Sequence, residues 1–105
     1  MITVNFVSRA GRLCGFEISG HATRDENDET GKIVCAAVSS AALMTANTIT
    51  EVLGEKCSAE AQDGYMKFLG AGLSESATAL LDGFKLHICE LKKEYGKRIK
   101  IITED

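Results

Sequence analysis

The side chains able to act as a nucleophile and a base are four cysteines and two histidines, and one pair of them stands in a reactive setting. Cys35 follows Gly31 and Lys32 in the expected first turn of a helix, where free backbone N–H groups and the helix dipole stabilise a thiolate. His21 follows a predicted strand and borders a polar loop, so its imidazole can supply the base that a thiol nucleophile needs. The pair indicates covalent catalysis by a thiol.

The other thiols and the second imidazole have ordinary structural explanations. Cys14 and Cys57 fall on the apolar faces of predicted strands and Cys89 lies within a predicted helix, so all three are expected to be buried. His87 is expected at the packed boundary of the same helix. There is no CxxC motif, which argues against disulfides, and the Cys and His positions lack metal-ligand spacing. We therefore expect no metal and no cofactor.

Residue types alone leave a structural alternative open, because Cys35 could be a core thiol and His21 a surface loop residue. Two motifs favour catalysis: Gly-His-Ala at 20–22 and, after the polar loop, Ile-Val-Cys-Ala-Ala-Val-Ser at 33–39. With these motifs the chain resembles the ribosomal-processing cysteine protease family Prp of Firmicutes and related bacteria. The resemblance extends over nearly the whole chain through its length and element order.

The resemblance implies a reaction and the residues that perform it. His21 and Cys35 would form the catalytic dyad of a cysteine endopeptidase that removes the N-terminal extension of large-subunit ribosomal protein twenty-seven. Ser39, four residues after the cysteine, would act in activity or substrate placement, although a helical serine can also bond a carbonyl one turn back. The loop-flanking glycines Gly20 and Gly31 are expected to belong with Ser39 to the substrate-binding region.

The sequence departs from the family pattern in the loop that joins the two motifs. Lys32 stands where an aspartate is common in the family, and the loop is slightly longer. The identity of an acid that would support His21 is therefore an open question. An unassisted dyad is the simpler hypothesis; the alternatives are Asp25, Glu26, Asp28 and Glu29. We expect residues 22–32 to be mobile without substrate and to close over a bound peptide.

Seven elements must position these residues. Hydrophobic periodicity predicts strands near 2–6, 14–18, 57–61, 65–69 and 99–102, and helices over 33–53 and 75–95. Asp63-Gly64 is a two-residue hairpin signal. The resulting ββαββαβ order predicts an α+β fold in which a small sheet of two hairpins and a C-terminal strand packs with two helices. Residues 1–105 are expected to form one cysteine protease domain.

Composition and hydropathy limit the partners and the location that are expected for the domain. The net charge of −3 argues against binding nucleic acid through the whole surface. No signal peptide pattern is present and the apolar segment 33–46 is too short for a bilayer, so a cytoplasmic protein without membrane contact is expected. The first helix is apolar on most sides, which predicts a homodimer.

A second class of function is a non-enzymatic ribosome-associated binding module. Five basic residues cluster near the end of the second helix: Lys92, Lys93, Lys97, Arg98 and Lys100. They could meet RNA, but no aromatic stacking motif accompanies them, and basic residues are also ordinary at a helix C-terminus.

Overall fold

Residues 1–104, which the computed structural model describes, fold into five strands and two long helices. In chain order they are β1 (Ile2–Arg9), β2 (Arg12–Gly20), α1 (Glu29–Asn47), β3 (Cys57–Gln62), β4 (Tyr65–Gly70), α2 (Glu75–Tyr95) and β5 (Ile99–Glu104). The predicted ββαββαβ order and α+β class are confirmed.

All five strands belong to one sheet, in the order β3-β4-β2-β1-β5. The β1–β2, β2–β4 and β3–β4 pairs are antiparallel, and β5 runs parallel to β1 with Ile2 opposite Ile99. Ala10 and Gly11 turn the first hairpin with φ values of 53° and 77°, the positive pair that matches a tight hairpin to strand twist. The sheet therefore brings the ends of β2 and β3 to one edge of the molecule.

The core lies between one face of the sheet and both helices. Phe6, Phe16 and Phe68 are fully buried on that face. Phe84 of α2 packs onto them, with its ring centroid 5.6 Å from Phe6 and 4.8 Å from Phe16. Such aromatic contacts stabilise beyond the area they bury, so they fix α2 over β1 and β2.

The first helix begins at Glu29, four residues before the predicted start at Ile33. Asp28 is its N-cap: its Oδ1 accepts the Gly31 N–H at 3.0 Å, and its carbonyl oxygen accepts the Lys32 N–H at 3.1 Å. The first turn is polar and solvent-facing, so a hydrophobic pattern cannot reveal it. Part of the segment expected to be a loop is therefore helix.

The helix also continues beyond the apolar segment considered for a membrane. A π-helical turn over Thr48–Val52 extends it, and threonine hydroxyls bond carbonyls one turn back, such as Thr45 Oγ1 to Ala41 O at 2.8 Å. The continuous helical stretch Glu29–Val52 is long and apolar enough to cross a bilayer. The expectation that the apolar segment, taken as 33–46, is too short is therefore wrong for the whole helix. The core helix of a globular domain meets the same criteria, and here Val34 and other residues of one face are buried against the sheet.

Candidate active site

A cleft of about 280 Å³ opens at the end of the sheet where the central strand β2 terminates. Its walls come from the end of β2, from one face of α1 and from the turn between β3 and β4. Four of the residues predicted from the sequence line it: Gly20, His21, Cys35 and Ser39. The fifth, Gly31, is not among the lining residues. The structure thus brings the candidate nucleophile and base into one cleft.

The sulfur of Cys35 meets a backbone amide. Cys35 lies in the second turn of α1, since the helix begins at Glu29, so the expectation that it occupies the first turn is wrong. The amide comes instead from the loop: the Ala22 N–H donates to Cys35 Sγ at 3.2 Å. The thiol is half-buried, with one side against the core and the other toward the cleft.

His21 is held at the cleft by the second hairpin. The Gly20 N–H donates to the Gly64 carbonyl oxygen at 3.0 Å, and the His21 ring lies against Gly64, where an added Cβ would come within 2.8 Å of Nε2. Gly64 also has a φ of +72°, which favours glycine. The Asp63-Gly64 pair signalled only a turn in the sequence, so this packing role went unrecognised. Within residues 1–104, no carboxylate is hydrogen-bonded to His21.

The three remaining site candidates differ in position. Ser39 is exposed in the cleft one turn after Cys35, on the same face of α1. Gly20 has a φ of +87° and a Cβ there would lie 2.5 Å from the Met1 carbonyl oxygen, so only glycine fits where β2 ends. Gly31 is buried beneath the loop, where a Cβ would lie 2.6 Å from Thr23 Cα. Its small size lets the loop seat closely on the start of α1.

An ion pair that links the loop to the far end of the chain was not apparent from the sequence. Arg98 Nη1 lies 2.6 Å from Asp28 Oδ2 and donates to the Ala22 carbonyl oxygen at 2.9 Å. The hydrogen bond from Arg98, followed by those from the Arg24 and Gly31 N–H groups, holds the pKa of Asp28 well below its usual range. Seventy positions separate the two charges, so no local pattern could connect them.

Much of the predicted basic cluster is engaged in intramolecular contacts. Besides Arg98, Lys92 donates to the Ile99 carbonyl oxygen at 2.6 Å, and Lys93 pairs with Glu90 at 3.0 Å. The Lys92 contact closes the end of α2 onto β5, whereas the Lys93–Glu90 pair lies within α2. Three of the five basic side chains therefore have structural partners.

The other cysteines lie outside the cleft. All four thiols are free, Cys14 is buried as predicted, and Cys57 and Cys89 are half-buried. Burial, together with the nearby Glu55 carboxylate, raises the pKa of the Cys57 thiol. Within residues 1–104, no three His, Cys, Asp or Glu side chains are grouped closely enough to hold a metal ion.

The remaining walls of the cleft are largely apolar, with Ile18, Leu43 and Met66 among them. Tyr65 also lines it, and its hydroxyl donates to Glu17 Oε2 at 2.9 Å. This hydrogen bond raises the pKa of Tyr65, so the hydroxyl stays protonated. A thiol, an imidazole and a directed amide beside apolar walls form a site able to bind a peptide and attack its carbonyl carbon.

Comparisons with known proteins agree with this chemistry. A family model described as cysteine protease Prp matches residues 1–100. The same fold occurs in the essential ribosomal processing protease Prp from Staphylococcus aureus, solved with a covalently linked product peptide (22% identity, 99% of this chain and 100% of that chain, TM-score 0.86). It was also solved with a substrate peptide (21% identity, the same coverage, TM-score 0.87). SMU.848 from Streptococcus mutans is 30% identical over 99% of this chain and 96% of its own, with a TM-score of 0.82. No curated protein matches the chain.

Proposed function

The chain belongs to the cysteine protease Prp family, and from that premise we propose that it removes the N-terminal extension of large-subunit ribosomal protein twenty-seven with a Cys35–His21 dyad. Membership makes the protein a cysteine protease. The observation that carries the assignment of Cys35 is the Ala22 N–H donated to its sulfur, in the cleft that His21 also lines. The complexes of the Staphylococcus aureus protease with a substrate peptide and a linked product peptide support a peptide as the ligand of this cleft.

In the first chemical step, His21 takes the thiol proton and Cys35 Sγ attacks the scissile carbonyl carbon. The resulting tetrahedral intermediate collapses as the C–N bond breaks, and His21 delivers the proton to the leaving amine. A water molecule, deprotonated by His21, then attacks the thioester. The products are a carboxylate and the regenerated thiol.

The negative oxygen of each tetrahedral intermediate needs hydrogen-bond donors. The amides at the start of α1 are already used, since the Gly31 and Lys32 N–H groups donate to Asp28. The Ala22 N–H is 3.2 Å from Cys35 Sγ and thus adjoins any carbon bonded to that sulfur. We assign the Ala22 N–H as an oxyanion donor.

Substrate binding divides between the cleft wall and the loop beside it. Ser39 and Gly20 are proposed to contact the peptide, and Gly31 to let the loop seat over α1. The apolar wall that includes Leu43 and Met66 suits apolar peptide side chains. Of the loop expected to be mobile, residues 23–27, which lie between the fixed Ala22 and Asp28, are proposed to close over the bound peptide.

The working form of the protein is proposed to be a cytoplasmic homodimer of single-domain subunits. The outer faces of α1 and α2 expose Ile33, Met44 and Leu86, which are 57%, 63% and 63% exposed. A groove of about 620 Å³ lies between the helices, lined by small residues such as Ala41 and Gly83. Exposed apolar area of this kind marks an interaction surface, and a second copy can cover it symmetrically.

The alternative of a non-enzymatic ribosome-associated module has less support. Family membership makes the chain a protease, and three of the five basic residues proposed to meet RNA are bound within the molecule. The basic groups at the end of α2 are thus better explained as structural contacts.

The proposed function is tested by incubating the protein with the extended ribosomal protein and measuring intact masses. We expect loss of the extension as a single mass step. Cys35→Ala and His21→Ala should each lower the cleavage rate by about 1000-fold or more, because a dyad acts as a unit. Cys89→Ala, which removes a half-buried thiol outside the cleft, is the matched control and should cleave normally. Full activity of either dyad variant would exclude this mechanism.

A further inference from the structure

We infer that Arg98 is a positioning residue for the proposed dyad: it holds Ala22 and Asp28 so that the Ala22 amide stays on Cys35 Sγ. The inference rests on the proposed function for its catalytic meaning. Within residues 1–104, no hydrogen bond joins Arg98 to the sulfur of Cys35 or to the imidazole of His21. Arg98 acts through the backbone of the residue that follows His21.

The contacts of Arg98 are enclosed. Its side chain is 17% exposed and that of Asp28 is 10% exposed. One nitrogen, Nη1, serves both the Asp28 carboxylate and the Ala22 carbonyl oxygen. Removing the guanidinium leaves the largely enclosed Asp28 carboxylate without its counter-ion and the Ala22 carbonyl oxygen without this donor, so we expect the loop to move.

Ala22 connects the ion pair to the nucleophile. Its carbonyl oxygen accepts from Arg98 at 2.9 Å, while its N–H donates to Cys35 Sγ at 3.2 Å. Its methyl group is buried in the core, so the residue is fixed by three separate contacts. The two groups share one Cα, so a shift of the carbonyl end that moves this atom also moves the N–H relative to sulfur.

Asp28 completes the connection on the helix side. The same carboxylate that meets Arg98 caps α1 through the Gly31 N–H, and α1 carries Cys35 and Ser39. Arg98 therefore holds both the loop that carries the Ala22 amide and the helix that carries Cys35, which this amide must face. Its own backbone is well anchored, because the next residue, Ile99, is fully buried and pairs with Ile2 in the sheet. A site supported from a rigid element keeps its geometry better than one supported by a loop alone.

The test compares Arg98→Met with Arg12→Met. Arg12 is a surface arginine whose side chain donates to Thr78 Oγ1 at 3.3 Å, and it serves as the matched control. We measure kcat and KM for cleavage of the extended ribosomal protein, and the rate of Cys35 alkylation by iodoacetamide as a function of pH. Urea unfolding of both variants shows whether each is folded under the assay conditions.

We expect R98M to lower kcat by about 10- to 100-fold, as a displacement near 1 Å does, with KM changed by less than about 3-fold. Loss of the amide from sulfur should also change the alkylation profile of Cys35 relative to that of the original protein, an effect that lower stability alone does not produce. R12M should match the original protein in both measurements. Folded R98M with unchanged kcat and an unchanged alkylation profile would overturn the inference.

Two further variants decide the question should R98M be unfolded. Arg98→Lys keeps the charge and Asp28→Asn keeps a capping oxygen, and each should show a smaller shift in the same direction. Unchanged values in both would overturn the inference. Failure of the original protein to cleave the ribosomal substrate would count against the proposed function, whereas the alkylation profiles would still test the role of Arg98.

Discussion

The Cys35 thiol is contacted by a backbone amide rather than by a charged side chain. Its amide partner, Ala22, lies in the loop, and the helix start contributes through Asp28 instead of through free N–H groups. His21 is placed in a similar way, by contact with the backbone of Gly64 rather than by a supporting acid. At this scale the site depends on small residues that permit close approach.

Replacing Gly64 with Ala should impair catalysis out of proportion to its effect on stability. The Cβ would come within 2.8 Å of His21 Nε2, so the ring must leave its place and the cleavage rate should fall about 10-fold or more. The positive φ of +72° should also cost about 1 kcal/mol in the free energy of unfolding. Cleavage assays and urea unfolding measure the two effects.

Gly54→Ala is the control, because Gly54 has a nearly equal φ of +68° but nothing within 4 Å of an added Cβ. It should lose similar stability and keep its cleavage rate. Equal rates in the two variants would mean that the contact between the ring and Gly64 does not place His21.

Among the elements, α1 does the most to arrange the site, and its cap determines where it begins. Asp28 starts the helix four residues before its apolar pattern, which moves Cys35 from the first turn to the second. The carboxylate is ionised within a set of donors led by Arg98, and its pKa lies well below the usual value of 3.8. The helix start is therefore sensitive to acid.

The stability that Asp28 provides should disappear in acid. A carboxyl group whose pKa is lowered by folding contributes fully above its unfolded value and loses that contribution as the pH falls toward the folded value. Asp28→Asn should therefore lower the free energy of unfolding near pH 7, and the difference from the original protein should shrink by about pH 3. Urea titrations across this range give the measurement.

Glu29→Gln is the comparison for this acid effect, since Glu29 is an exposed acid in the same helical turn and forms an exposed pair with Lys32 at 3.4 Å. Its effect on stability should be small at every pH. A constant difference between D28N and the original protein from neutral to acid pH would contradict the role given to the Asp28 carboxylate.

Local patterns in the sequence were sufficient for most elements but not for their contacts. The predicted bounds of α2, 75–95, agree with the structure, because Ser74 and Gly96 cap this helix and capping signals are local. Asp63-Gly64 turns the second hairpin. The early start of α1 was missed because its first turn buries little apolar surface. The Arg98–Asp28 pair and the Ala22 amide were missed because they depend on how distant segments meet. The proposed dyad positions came from the two motifs and the family resemblance that they carry, whereas the shared cleft depends on the fold.

The molecule as a whole presents one largely apolar helical surface to its surroundings. Met44→Glu should weaken the proposed dimer by placing a charge in the groove between α1 and α2, raising the dissociation constant by about 100-fold or more. Size-exclusion chromatography with light scattering measures the change. Ala71→Glu, on an exposed turn after β4, is the control and should leave the association state unchanged. A monomeric original protein at high concentration would exclude the dimer.

The parallel pairing of β1 with β5 places the first and last strands of the described chain side by side. This pairing has a consequence for biosynthesis. Translation supplies Arg98 and Ile99 after every other residue of the site, and Ile99 must then return to Ile2 across the whole domain. While these residues are still inside the exit tunnel of the ribosome, the nascent polypeptide carries its nucleophile without the arginine that orients the loop. Full proteolytic activity is therefore expected only once β5 has emerged, because a chain without Arg98 lacks the residue inferred to hold the Ala22 amide on Cys35.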